Sequence, residues 1–229
     1  FRNCTSLKDV DFSTSLKTIG SYAFSGCIAL TEIDLPETLT TINDYAFQNC
    51  SGITEIVVPD TVTSIGRGAF YGVDKLEEIT LPFVGCTASS TGSSGVFGYI
   101  FGYESSAYTG TTQQQYESSY CKYYYIPQSL RTVTITKDTS IPYGAFYNCS
   151  FLTEINIPDT VMSIADRAFY NCSGIKEINI PEGVKTISPS TYSGCSNLLE
   201  INLPSTVTNI GNHAFYNCDS LESFEIPYG

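Results

Sequence analysis

FYNCSFLTEINIPDTVMSIADRA, residues Phe146–Ala168, matches the chain again when it is shifted by 23 residues. FYNCSGIKEINIPEGVKTISPST follows from Phe169 and YSGCSNLLEINLPSTVTNIGNHA from Tyr192. Earlier copies read FSGCIALTEIDLPETLTTINDYA from Phe24 and FQNCSGITEIVVPDTVTSIGRGA from Phe47. A fixed period of this length marks a solenoid, in which a unit too small to bury its own apolar face stacks on its neighbours. Inside the quoted unit, Ile155 and Ile157 are two apart, so Asn156 faces outward from a half-buried strand. Pro158 has no N–H to give and ends that ladder. Val161 and Ile164 predict a second short extended piece on the opposite side, and Asp166–Asn171 predicts one helical turn.

Working outward, residues 1–23 form a degenerate first unit that keeps Cys4, Leu7, Val10, Phe12, Leu16 and Ile19. The fourth unit starts at Phe70, runs to Pro82 and breaks. The pattern returns with LRTVTIT at 130–136 and reaches Ala145 one residue short of regular spacing. This divides residues 1–229 into N-terminal repeats (1–82), an insertion (83–128) and C-terminal repeats (129–229) of one solenoid of eight to nine units. Both ends fall inside a repeat, the expected appearance of a fragment of a longer protein.

Twenty-three acidic against 11 basic residues, a net charge of -12, argue against nucleic acid or an anionic membrane surface as partner. No apolar run is long enough for a membrane span, so membrane insertion of this stretch is not expected. The single histidine, His213, stands at a variable repeat position, and no nucleophile elbow or phosphate-binding glycine loop is present, so enzyme activity is not expected.

The phrase AFYNCSxLTEIxIPxxVxxI, at 145–164 and recurring at 168–187, 191–210, 23–42 and 46–65, resembles the BspA-like class of leucine-rich repeats in bacterial surface proteins. The resemblance implies a right-handed curved leucine-rich repeat solenoid of the α/β horseshoe class, mostly short strands with short helical turns. It further implies secretion or cell-surface display and an adhesive or ligand-binding role. It carries no catalytic or binding residue over, because the shared positions are structural.

Seven of the nine cysteines, Cys4, Cys27, Cys50, Cys149, Cys172, Cys195 and Cys218, share one repeat position, where unit four has Val73. A small buried hydrophobe accounts for them, and the absence of CxxC or Cys/His spacing argues against zinc. Cys86 and Cys121 bracket the insertion and could staple its base in an oxidising compartment. Asn3, Asn49, Asn148 and Asn171 lie in N-x-S/T triplets, but the repeat generates each, and a turn residue explains them more simply.

Two candidate binding surfaces remain. Glu32, Glu55, Glu78, Glu154, Glu177 and Glu200 precede the first strand isoleucine of successive units and, in the resembling fold, face the concave sheet. Aligned carboxylates repel. Ca²⁺ or a cationic ligand would offset the cost, yet solvent, counterions, Lys8 and Lys176 do so more simply, and no cofactor or metal is expected. The insertion holds eight of the 17 tyrosines, among them Tyr99, Tyr103, Tyr108 and Tyr116, spaced by Ser, Gly, Thr and Gln. Aromatic anchors among small polar residues are the composition of binding loops, although packing of an enlarged unit would also use them. The reading is a monomeric, non-catalytic surface module for a host or neighbouring-cell protein or glycan. A structural spacer presenting another domain is the alternative.

Overall fold

A Glu-Ile-x triplet builds the first sheet because only its middle residue is buried: Glu154–Asn156 and Glu177–Asn179 both run exposed, buried, exposed. In the computed structural model, which describes residues 1–104, 110–117 and 119–226, such triplets form parallel, in-register ladders of a β-solenoid, as where Glu177–Asn179 pairs with Glu200–Asn202. Glu55–Val57 pairs with Glu78–Leu81, which pairs with Thr132–Ile135, which pairs with Glu154–Asn156. The first sheet therefore crosses the insertion unbroken. The second extended piece exists as two-residue strands: Thr18–Ile19, Thr41–Ile42 and Ser64–Ile65 form one ladder. Ser140–Ile141 pairs with Ser163–Ile164, and Thr186–Ile187 with Asn209–Ile210.

The expected helical turn at Asp166–Asn171 is absent. The chain turns instead through two left-handed residues, Arg167 (φ 56°) and Asn171 (φ 55°), which no helix accommodates. The same pair recurs as Tyr45 and Asn49, Gly144 and Asn148, and His213 and Asn217. Gly26, Gly72 and Gly194 take the Asn column elsewhere, the residue exchange expected where φ must be positive. The N-x-S/T asparagines are thus turn formers, and Asn171 Nδ2 donates to Asn148 Oδ1 of the preceding rung (3.0 Å). The only helices among the described residues are two 3-10 segments in the insertion, Gly92–Ser94 and Phe97–Phe101.

Inside the turns runs an aromatic spine. Phe24, Phe47 and Phe70 stack face to face, as do Phe146, Phe169, Tyr192 and Phe215, with centroids 5.3–5.9 Å apart. Burying each ring removes a large apolar area from water, worth about 2–3 kcal/mol. The cysteines line the same core. Cys50, Cys172 and Cys195 are fully buried, and each Sγ–H donates to the carbonyl of the spine aromatic one rung back, at 3.1–3.2 Å. A thiol fits because it is small and apolar enough for the core and still serves a second lone pair on that carbonyl.

The insertion is spliced into this spine. Phe70 N donates to Ile100 O, and Phe97 N donates to Ala145 O, so the 3-10 segment Phe97–Phe101 takes a rung's turn position. Phe101 meets Phe70 (6.5 Å) on one side, and Phe97 meets Phe146 (5.2 Å) on the other. From there the chain runs out into a three-stranded sheet in which Tyr120–Tyr124 lies between Tyr103–Glu104 and Thr112–Glu117, antiparallel to both, and rejoins at Leu130. A wholly buried Gln114 pins this sheet. Its Oε1 accepts from Gly98 N (2.7 Å), and its Nε2 donates to Ala145 O (3.1 Å) and Cys149 Sγ (3.4 Å). A Cβ at Gly98 would collide with the Tyr124 ring, so glycine permits this approach.

Candidate functional site

The turn edge of the solenoid carries a second aromatic row outside the spine, because side chains next to the buried Phe point outward. Tyr22 stacks on Tyr45 (5.3 Å), Tyr45 meets Tyr71 edge-on (6.3 Å), and Tyr71 meets Tyr125 of the insertion edge-on (4.9 Å). Tyr45, Tyr71 and Tyr125 are each half-buried, leaving ring surface in water. Tyr147 and Tyr170 continue the row past the insertion, stacked at 4.7 Å.

At the junction of repeat and insertion the row holds two cations. The Arg67 guanidinium lies 5.4 Å from the centroids of both Tyr45 and Tyr103, and its Nε is buried with no hydrogen-bond partner among the described residues. Lys122 Nζ stands 3.7 Å over the same Tyr103 ring. Such contacts are strongest where water is thin. Burial pushes the Tyr103 phenol up, but hydrogen bonds from Lys122 and Arg67 outweigh it and hold the group below its ordinary pKa. The result is a phenol held beside fixed positive charge on an otherwise acidic chain. Between Tyr71, Asn49, Asp74 and the returning Tyr125–Ser129 segment lies a cleft of about 470 Å³. Aromatic walls with a few polar groups at the rim suit planar or sugar-like surfaces.

The glutamate column is real but less regular than its spacing predicts. Glu55 faces Glu78 and Glu177 faces Glu200, while Thr132 stands between Glu78 and Glu154. All six glutamates are exposed, including Glu32, which shares a shallow trough with Glu55. Glu154 Oε1 accepts from Asn156 Nδ2 (2.8 Å), and Lys176 lines the trough holding Glu154 and Glu177. Exposure to solvent, one amide and a nearby lysine thus accompany these charges. Among the described residues no cluster of His, Cys, Asp or Glu suited to a metal ion occurs.

Of the insertion tyrosines, Tyr103 and Tyr99 are half-buried near Arg67 and the rung-four turn. Tyr99 gives its carbonyl to Gly68 N, and burial pushes its phenol up to about 12. Tyr108 and the side chain of Tyr116 lie outside the described residues. Cys86 and Cys121 are free thiols on different elements. Cys86 follows the second-sheet path and gives its carbonyl to Ile65 N, whereas Cys121 sits on the central strand of the insertion sheet and accepts from Gln113 Nε2 (3.1 Å). Sequence reasoning missed Tyr45, Tyr71, Arg67 and Lys122. Only Tyr71 had a signal, the tyrosine after the spine Phe that recurs at 71, 147, 170 and 216.

A family model described as BspA type leucine rich repeat region matches residues 1–93 and 118–229 in six copies. Among solved structures, a leucine-rich repeat protein from Bacteroides ovatus is similar at 26% identity, over 96% of this chain and 73% of that one, with a TM-score of 0.42. A T. pallidum leucine-rich repeat protein is 23% identical over 90% and 72% (TM-score 0.44). A leucine-rich cell surface protein from Faecalibacterium prausnitzii is 25% identical over 97% and 60% (TM-score 0.40). No match was found among curated proteins.

Proposed function

The chain belongs to the BspA-type leucine-rich repeat family, and on that premise we propose that it is a non-catalytic binding module, displayed or secreted, that recognises a protein or glycan. The observation that carries this reading is the clamp of Arg67 between Tyr45 of a regular rung and Tyr103 of the insertion. A chain serving only as a spacer needs the buried splice of Phe97, Phe101 and Gln114. It has no need of half-exposed rings, paired cations and a cleft gathered where repeat meets insertion. The glutamate troughs on the first sheet supply a secondary surface whose charge disfavours anionic partners.

The test is a binding screen of the intact chain against extracellular-matrix proteins and mucin-type glycans. A saturable ligand supports the module. Failure of every ligand class to bind, with the protein folded, overturns it in favour of the spacer.

A further inference from the structure

A second site lies on the opposite sheet, where the insertion leaves the repeats. The second-sheet strands are preceded by an apolar column: Leu39, Val62, Val161, Val184 and Val207 are all buried. In rung five that place belongs to Asp138, as the pairing of Ser140–Ile141 with Ser163–Ile164 fixes by register. Thr160 Oγ1 donates to Asp138 O (2.8 Å), just as Thr206 Oγ1 donates to Val184 O (2.9 Å). A carboxylate thus replaces a core valine. It is 2% exposed.

Half of that carboxylate has a structural task, since Oδ2 accepts from Val84 N (2.7 Å) where the chain departs from regular spacing. Oδ1 is buried and has no hydrogen-bond partner among the described residues. Asp138 lines a cavity of about 500 Å³. Ser140, Ser163 and Tyr143 line this space, the Tyr143 phenol already partnered by Arg167, and Glu117 reaches its rim from the insertion sheet beside Gly92. Ile141, Pro142, Ala165 and Ala88 give apolar wall, and among the described residues no lysine, arginine or histidine lines it. A buried carboxylate without a cation is costly, and burial raises its proton affinity accordingly.

We propose that this cavity binds a primary alkylammonium group, such as a lysine side chain or a small amine, with its nitrogen on Asp138 Oδ1 and its alkyl part along the Ile141–Pro142 wall. Two carboxylates and no base select a cation. Hydroxyls that accept hydrogen bonds favour an ammonium with several N–H donors over a quaternary one, and the apolar wall favours an alkyl chain over a bare metal ion.

The experiment titrates ¹⁵N-labelled protein with n-butylammonium chloride, tetramethylammonium chloride and n-butanol, following the Val84 and Ser140 amides. The expected result is saturable shifts with n-butylammonium that weaken at least about tenfold in Asp138→Asn and vanish in Asp138→Val. Valine is what this column holds elsewhere, but it removes the acceptor of the Val84 N–H, so the amide spectrum checks that Asp138→Val is folded, and Asp138→Asn carries the test if it is not. Three outcomes overturn the proposal: no saturable shift with the ammonium, equal shifts with n-butanol, or undiminished ammonium binding by folded Asp138→Val. Equal binding of tetramethylammonium overturns the primary-amine assignment.

Discussion

Phe97 and Phe101 stand edge to face, 5.3 Å apart, within one 3-10 segment, and each completes a different half of the aromatic spine. The insertion therefore carries the aromatic spine from Phe70 to Phe146, while the first sheet joins the two sides directly. Replacing residues 87–120 by a short flexible linker should remove both rings and Gln114 and split or abolish the cooperative thermal transition. Phe97→Ala alone should cost about 3–5 kcal/mol by the cavity it leaves. Gln114→Leu, which strands the Gly98 N–H, should cost about 2–3 kcal/mol in denaturant unfolding.

Tyr192, stacked between Phe169 and Phe215, bears a hydroxyl that is buried without a partner among the described residues. Tyr192→Phe removes it while leaving the stack intact. Stability should rise by about 1–2 kcal/mol, read as a higher melting temperature. A loss of stability would show that the hydroxyl is satisfied.

Burial raises the Asp138 carboxyl to about 7, against the smaller opposing effect of the Val84 N–H. The folded state then holds this proton more tightly than the unfolded state, so Asp138 destabilises progressively as pH rises from about 4 to about 7. Glu117 and Tyr143 face the same cavity, so the comparison must be with Asp138→Val. The wild-type stability minus that of the variant should fall by about 2–4 kcal/mol over this range. A flat difference would contradict the burial of a lone carboxylate.

Thiol reactivity should follow the same core. Cys4 and Cys121 are exposed, whereas Cys149, Cys172 and Cys195 are buried and their thiols are pushed up by desolvation. At pH 8 a disulfide reagent should modify Cys4 and Cys121 in its fast phase and the three buried thiols only on unfolding. Fast labelling of Cys172 would mean the spine is open.

The repeat made the two sheets legible, because a buried Ile or Val between outward polar residues, and a later Ile, recur at strand spacing along the chain. The turns were misread because Asp166–Asn171 has helix-compatible residues. The Asn-to-Gly exchange at 26, 72 and 194 was the sign of positive φ, while Arg167 and Tyr45 gave no such sign at theirs. The splice was hidden by spacing. FGYIF offers two spine rings four residues apart, where each regular unit offers one, and only the register with Ala69–Phe70 and Ala145 shows which side each serves. Asp138 could have been found by counting three residues back from Ile141, as from Ile164 to Val161. The aromatic row at the edge escaped because its members come from different repeat positions and meet only when rungs stack.

The most direct measurement compares two variants for binding to a ligand returned by the screen. One is Tyr71→Ser/Tyr103→Ser on the turn edge, and the other is Glu154→Gln/Glu177→Gln/Glu200→Gln on the first sheet. With both folded, the tyrosine variant should lose at least about tenfold in affinity and the glutamate variant less than about threefold. Unchanged affinity in the tyrosine variant, or a larger loss in the glutamate variant, would contradict recognition at the edge where Arg67 meets Tyr45 and Tyr103.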